Sequence, residues 1–365
     1  MHLPRTPDEI TVEWLVWAMK RGPAHLNPDH DAIVDVQTKL LSRQGAYGQI
    51  ARLQIERKSE SSRGPRTLIA KLSSTNEEMR CREATRAAYE REVRFYSELA
   101  PTIEVPVPQC HFADIEPATG WHIVLLEDLS PAQTAVEALT PAQAQEAVEI
   151  IAQLHVHWWR SRRLSQIKWI PMRPLPPDNQ LEQGHRAYWS KFQDRIKDID
   201  GTVREIGDQL GPRIGTLLRH LYRPETLTII HGDLSIGNLL YRENGTPSLQ
   251  IVDWQLIAKG PGVWDVAWLL SQHVEPRDRR AIEHHLLERY VEIVAASGIP
   301  DYSIDGAIRD YRVSILARFR TVITSIVALP FSAETKAGIV SKTFPRICEA
   351  LVDNDCLGQL HKMPR

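Results

Sequence analysis

Cysteine is scarce, with only Cys81, Cys110, Cys348 and Cys356 in 365 residues. Their intervals fit no metal-ligand spacing, so they read as reduced packing residues and exclude both a zinc module and a disulfide scaffold. No hydrophobic run approaches the ~20 residues a spanning helix needs, and the N-terminus has no signal-peptide pattern. A cytoplasmic protein with no membrane partner is expected. Charge of one sign is also lacking: 44 Lys and Arg against 46 Asp and Glu leave a net charge of -2, which argues against nucleic acid as an obligate partner. Internal repeats and low-complexity segments are absent. What is present, 42% hydrophobic and 25% charged residues, is ample for two lobes at this length.

The stretch from Ile230 to Asn238 carries the most information. It places His231, Gly232, Asp233 and Asn238 after an apolar run (Leu227, Ile229, Ile230), and Leu249 to Val252 then leads into Asp253-Trp254-Gln255. Phosphoryl transfer needs a carboxylate to orient an attacking hydroxyl and accept its proton, and hard oxygen ligands to hold Mg2+ across nucleotide phosphates. Asp233 fits the first role, and Asn238 with Asp253 the second. Asp, Asn and Gly also build ordinary turns, but the D-x-x-x-x-N interval followed by an Asp after a second apolar strand is the pattern of kinase catalytic loops.

Such chemistry requires a Lys on an upstream strand and a Glu on the helix after it. Leu68-Ile69-Ala70-Lys71-Leu72 supplies the first. The segment from Glu78 to Leu99 has a helical composition, with Ala88, Tyr89, Val93, Phe95, Tyr96 and Leu99 on one apolar arc and Glu92 near its centre. A carboxylate in a buried stripe is costly unless paired, so Glu92 is expected to meet Lys71, while Glu90 is expected to form an exposed pair with Arg94. Gly45, Tyr47 and Gly48 lie in a G-x-x-G turn between strand-like runs at Ala32 to Leu41 and Gln49 to Ile55, where backbone amides can approach phosphates. His122 to Ser130 is an apolar strand entering an acidic turn. Glu127 and Leu129 stand where a two-lobed kinase offers backbone groups to adenine.

With these residues assembled, the chain resembles the aminoglycoside phosphotransferase and ecdysteroid-kinase-like superfamily of small-molecule kinases. The likeness covers nearly the whole sequence: Ile10 to Leu15, Tyr47-Gly48 with Arg52, Lys71, Glu92, Leu125 to Leu129, Leu154 to Trp159, the loop at His231, Val252 to Gln255, and Gly262 with Asp265. It implies an α+β, bilobal protein-kinase-like fold, with a nucleotide-binding lobe over residues 1–128 and a mainly helical catalytic lobe over residues 129–365. It also implies an ATP- and Mg2+-dependent O-phosphotransferase acting on a hydroxyl of a small molecule, whether aminoglycoside-, steroid- or hydroxyacyl-like. Asp253 is followed by Trp-Gln and no A-P-E occurs, which leaves little room for an activation loop. His231, Asp265 and His155 are expected to support the loop. Asp265 either caps its helix or binds the loop backbone, and His155 is read as a core residue.

Trp158, Trp159 and Trp254 are candidates for the acceptor pocket, with core packing as their other reading. Pro171 to Asp178 reads as a surface connection, and Glu283 with His284 and His285 as a solvated helix face. Helices are expected around 141–159, 278–296, 304–329 and 337–351. The alternatives are a choline-type kinase and a nucleotide-binding pseudokinase scaffold. The second conflicts with the presence of Lys71, Glu92, Asp233, Asn238 and Asp253 together. The sequence leaves the oligomeric state open.

Overall fold

The computed structural model describes every residue except 24–28, 42–47, 135–136, 173–176, 243–247, 330 and 365. Gly45 and Tyr47 therefore lie outside the described residues. The chain forms two compact units, residues 1–133 with 240–256 and residues 134–239 with 257–365. Residues 240–256, which the sequence assigned to the larger lobe along with everything after 128, pack with the first unit.

The first unit is built on an antiparallel sheet of β1 (Ile33–Leu40), β2 (Gly48–Arg57), β3 (Thr67–Ser73), β4 (Cys110–Glu116) and β5 (Trp121–Glu127), in the order β1-β2-β3-β5-β4. Strand periodicity divides its faces. Leu53, Ile55, Leu68, Ala70, Leu72, Ile123 and Leu125 point to one side and meet Trp14, Leu15, Ala18 and Met19 of α1 (Val12–Met19). Lys71 and His122 belong to the alternate positions and meet the opposite layer, which contains α3 (Glu83–Arg94).

The single helix expected from Glu78 to Leu99 is interrupted. Asn76 caps a short α2 (Glu77–Cys81) by accepting from the Met79 amide at 2.9 Å, and Arg82 is extended, with ψ 132°. Arg80 accounts for the break: its guanidinium stacks 3.7 Å from the Trp121 ring centroid and donates to the carbonyls of Ser74 and Thr119, anchoring α2 to the start of β5 and the turn before it, ahead of α3. Arg80 was not among the expected structural residues.

The second unit is mainly helical. α4 (Pro141–Trp158) opens it with a capping box made by Thr140 and Gln143. α5 (Asp178–Arg195), α6 (Gly201–Leu210) and α7 (Ile214–Leu221) precede β6 (Leu227–Ile230). The chain then passes through β7 (Leu239–Tyr241) and β8 (Leu249–Ile251), which pair with each other, to β9 (Ala258–Pro261), which runs antiparallel to β6. α8 (Val263–His273), α9 (Pro276–Ala296), α10 (Ile304–Val327), α11 (Ala333–Gly338), α12 (Phe344–Asp353) and α13 (Cys356–His361) complete the unit around the long α10.

Glu283 does not lie on a solvated face. It accepts from Arg279 at 2.8 Å, from the Tyr311 hydroxyl at 3.0 Å and from the Asn354 amide, tying α9 to α10 and the end of α12. No helix among the described residues is long and apolar enough to cross a membrane.

Candidate active site

In the first unit, the period-2 pattern of β3 sends Lys71 toward α3, where the apolar arc delivers Glu92, a residue only 1% exposed. The Lys71 ammonium pairs with the Glu92 carboxylate and also donates to Asp253 Oδ1 at 2.9 Å. Burial opposes the charge on Lys71, but Asp253 and Glu92 together more than offset this and hold its pKa above the ordinary lysine range. Burial raises the Glu92 pKa, with Lys71 pulling against it. Glu90 points away and meets Arg94 at 3.4 Å on the surface.

Asp253 follows β8 by two residues and sits at φ 68°, a left-handed conformation that Asp tolerates better than most side chains. Its second oxygen, Oδ2, accepts from Gln255 Nε2 at 3.1 Å, and the Gln255 carbonyl accepts from Arg91 Nε at 2.8 Å. Arg91 directly precedes Glu92, so the helix carrying the Glu also anchors the turn carrying the Asp. Sequence patterns gave no sign of Arg91, because its partner in that contact is a backbone carbonyl.

Gly48 begins β2 beside this cluster. A Cβ there would stand 2.1 Å from the Leu72 carbonyl oxygen, so no side chain fits without moving the strand. Gly48, Lys71, Glu92, His122 and Asp253 surround a cavity of about 30 Å3. His122 bonds Ser73 Oγ at 2.8 Å and stacks 4.0 Å from Tyr89. Burial, reinforced by the charge of Lys71, lowers its pKa to about 3.

At the end of β5, Glu127 accepts from Arg242 at 2.6 Å and Asp128 pairs with Arg52 at 2.9 Å. The Glu127 amide is committed to the Gln109 carbonyl, and the Leu129 carbonyl accepts from Ala132.

In the second unit, β6 leads into the turn His231-Gly232-Asp233. Asp265, fully buried in the first turn of α8, accepts from the His231 amide at 2.7 Å and the Gly232 amide at 3.0 Å. Of the two expectations for Asp265, binding of the loop backbone is the one realised. Burial works against its charge, but His155, His231 and the Gly232 amide hold its pKa below the usual carboxylate value. His155 is a core residue, with Nδ1 2.9 Å from the Tyr290 hydroxyl and Nε2 3.4 Å from Asp265. Gly262 leaves room for this contact, because a Cβ would lie 2.3 Å from the Tyr290 oxygen. Tyr290 had no sequence signal.

The loop then closes on itself. The Asp233 amide donates to His231 Nδ1 at 3.2 Å, and Asn238 Nδ2 donates to the Asp233 carbonyl at 2.9 Å and to its carboxylate at 3.3 Å. Asn238 ends a 3-10 turn (Ile236–Asn238) immediately before β7. Among the described residues no three His, Cys, Asp or Glu side chains gather as a metal cluster. Asp253 in the first unit and Asn238 in the second each carry a hard oxygen of the kind Mg2+ takes, an ion that binds through one or two protein ligands and takes the rest from water and phosphate.

The candidate tryptophans are buried. Trp158 and Trp254 are 1% and 0% exposed, and Trp254 stacks 4.0 Å from Phe95 while donating to the Ile251 carbonyl. Trp159, 6% exposed, donates to the Glu225 carbonyl and packs against Tyr302. Large aromatic surfaces are spent in the cores of their own units.

A family model described as "Phosphotransferase enzyme family" matches residues 60–297, well over half of the chain. The chain belongs to this phosphotransferase family. The phosphotransferase has a protein-kinase-like fold.

Solved structures share its fold at low identity. One from Ralstonia eutropha, assigned as an aminoglycoside phosphotransferase, has a TM-score of 0.56 and 14% identity over 97% of this chain and 99% of that one. Choline kinase from Cryptosporidium parvum has a TM-score of 0.52 and 14% identity over 96% and 95%. The GDP complex of an aminoglycoside 2′-phosphotransferase-IIIa mutant has a TM-score of 0.51 and 14% identity over 89% and 93%. No curated protein matches the chain.

Proposed function

We propose that this phosphotransferase moves the γ-phosphoryl group of ATP to a hydroxyl of a small molecule, with Asp233 as catalytic base. The hydroxyl oxygen forms the new bond to phosphorus, its proton passes to the Asp233 carboxylate, and ADP leaves. Lys71, fixed and kept charged by Glu92, binds nucleotide phosphates, and Gly48 lets the backbone of β2 approach them. Asp253 and Asn238 would hold Mg2+, which when bound supplies charge neutralisation for the phosphates. Residues 1–133 with 240–256 form the nucleotide-binding lobe in this scheme, and residues 134–239 with 257–365 contribute the base and the acceptor pocket.

The observation that carries this reading is the buried Lys71, Glu92 and Asp253 cluster, whose cation and carboxylates are held by one another rather than by solvent. The solved structures with this fold act, by name, on aminoglycosides and choline, which makes amino alcohols the first acceptors to test.

The test measures ADP release with Mg2+-ATP across aminoglycosides, choline and other amino alcohols, sterols, sugars and hydroxyacyl thioesters, beside calorimetric nucleotide binding. One acceptor class is expected to raise ADP release above the hydrolysis background, and Asp253→Ala is expected to abolish Mg2+-dependent ATP binding. Unaltered ATP affinity in that variant would place the metal elsewhere, and nucleotide binding without turnover on any acceptor would favour the scaffold reading.

A further inference from the structure

A cleft of about 510 Å3, within the size range of small-molecule sites, opens in the helical unit between α7, α10 and the residues following α13. On α10, Asp305, Ile308, Arg309 and Arg312 share one face at helical spacing and form one wall. His220 of α7 and Lys362 form the others. The wall that carries Lys362 is pinned in place, since Arg213 donates to the Met363 carbonyl at 3.3 Å and His361 bonds Gln209 at 3.1 Å.

The arginine and lysine cations in this cleft have no carboxylate partner among the described residues, unlike several others in the unit. Elsewhere in the unit Arg160, Arg219, Arg223, Arg279 and Arg346 each meet a carboxylate. Among the described residues the side chains of Arg309, Arg312 and Lys362 make no hydrogen bond or ion pair, although Arg309 stands four residues after Asp305. Arg312 Nε is also enclosed without an acceptor, an arrangement that costs free energy unless something else supplies one. His220 is already committed to Asp310 at 3.0 Å. A chain with a net charge of -2 has no general surplus of cations to explain the cluster.

We infer that this cleft binds a phosphate-bearing small molecule. Two guanidinium groups present forked donors that match phosphate oxygens, Lys362 adds a point charge, and Asp305 is the one carboxylate among the described lining residues. Ile308 and Met363 give the wall an apolar strip for the organic part of the ligand. The site is built only from the helical unit and shares no residue with Lys71, Asp233, Asn238 or Asp253, so it stands independently of the catalytic proposal.

Inorganic pyrophosphate, titrated calorimetrically into the full chain without Mg2+, is the probe. Saturable binding is expected in the parent, Arg309→Gln with Arg312→Gln is expected to weaken it at least about tenfold, and the exposed Glu90→Gln change is expected to leave it unchanged. Absence of saturable heat in the parent, or equal affinity in parent and double variant, would overturn the inference. Circular dichroism establishes that the double variant is folded. If it is not, the exposed Lys362→Gln change decides the matter, with about a threefold weakening expected and no change counting against the site.

Discussion

Asp253 and Asp265 are both aspartates at the mouths of turns, and the two units restrain them by opposite means. Asp253 is shared between a lysine and a glutamine side chain, on a backbone with left-handed φ. Asp265 accepts two backbone amides and a histidine at the core of its unit. Side-chain partners can exchange one ligand for another as charges arrive, whereas backbone amides move only if the loop itself moves. The first arrangement suits a carboxylate that changes partners during a cycle, and the second suits one that fixes a neighbour's position.

The largest effect is expected where the fixed loop meets chemistry. Asp233→Asn is expected to lower kcat at least ~100-fold with nucleotide affinity and melting temperature nearly unchanged, because Asp265 rather than the charge of Asp233 positions the loop. A large drop in melting temperature would break the contrast between the units.

Next comes the ionic cluster. Lys71→Ala is expected to cost about 3 kcal/mol by leaving Glu92 buried without its cation, and adding Glu92→Gln is expected to recover at least about 1 kcal/mol of it. Strictly additive denaturation energies for the two changes would show that the pair is not coupled.

His122 gives a smaller effect with a definite sign. Its folded pKa of about 3 lies below the ordinary histidine value, so the unfolded chain binds the extra proton first. Its contribution to stability is therefore intact above about pH 6.5 and declines toward pH 3, at roughly 1 kcal/mol per pH unit. His111, lowered to about 4 by burial, and His273, lowered to about 3, act in the same direction. Thermal unfolding from pH 7 to pH 5 is expected to be less steep in His122→Asn than in the parent, and equal slopes would mean that the ring is not neutral in the fold. Glu90→Gln is expected to change stability by less than about 0.5 kcal/mol and activity not at all. Loss of activity there would mean that the helix register has been misassigned.

Much of the first unit was legible because side chains announce it. Strand-like runs marked β1, β2 and β3, and the cost of burying a carboxylate singled out Glu92 over Glu90. The break before α3 was not legible, since it depends on where Arg80 finds carbonyls and the Trp121 ring. Arg91 shows the same limit at the site, because a backbone carbonyl leaves no trace in the composition of its partner. α5 was missed for another reason: its buried stripe is only Leu181, His185, Trp189 and Phe192 on an otherwise polar helix. The tryptophans at 158, 159 and 254 were ambiguous because core and pocket reward the same aromatic surface.

Because residues 240–256 return to the first unit before the chain re-enters the second, the polypeptide passes between the units at 133/134, 239/240 and 256/257. This path limits how the protein can be dissected. No single cut frees either unit whole, and a fragment ending near residue 133 would carry Lys71 and Glu92 without Asp253. Protease nicking at one site would leave the pieces tethered, and fragment complementation would need the segment around Asp253 supplied with the N-terminal piece. For library construction or domain exchange, the movable part is therefore two discontinuous stretches of gene rather than one.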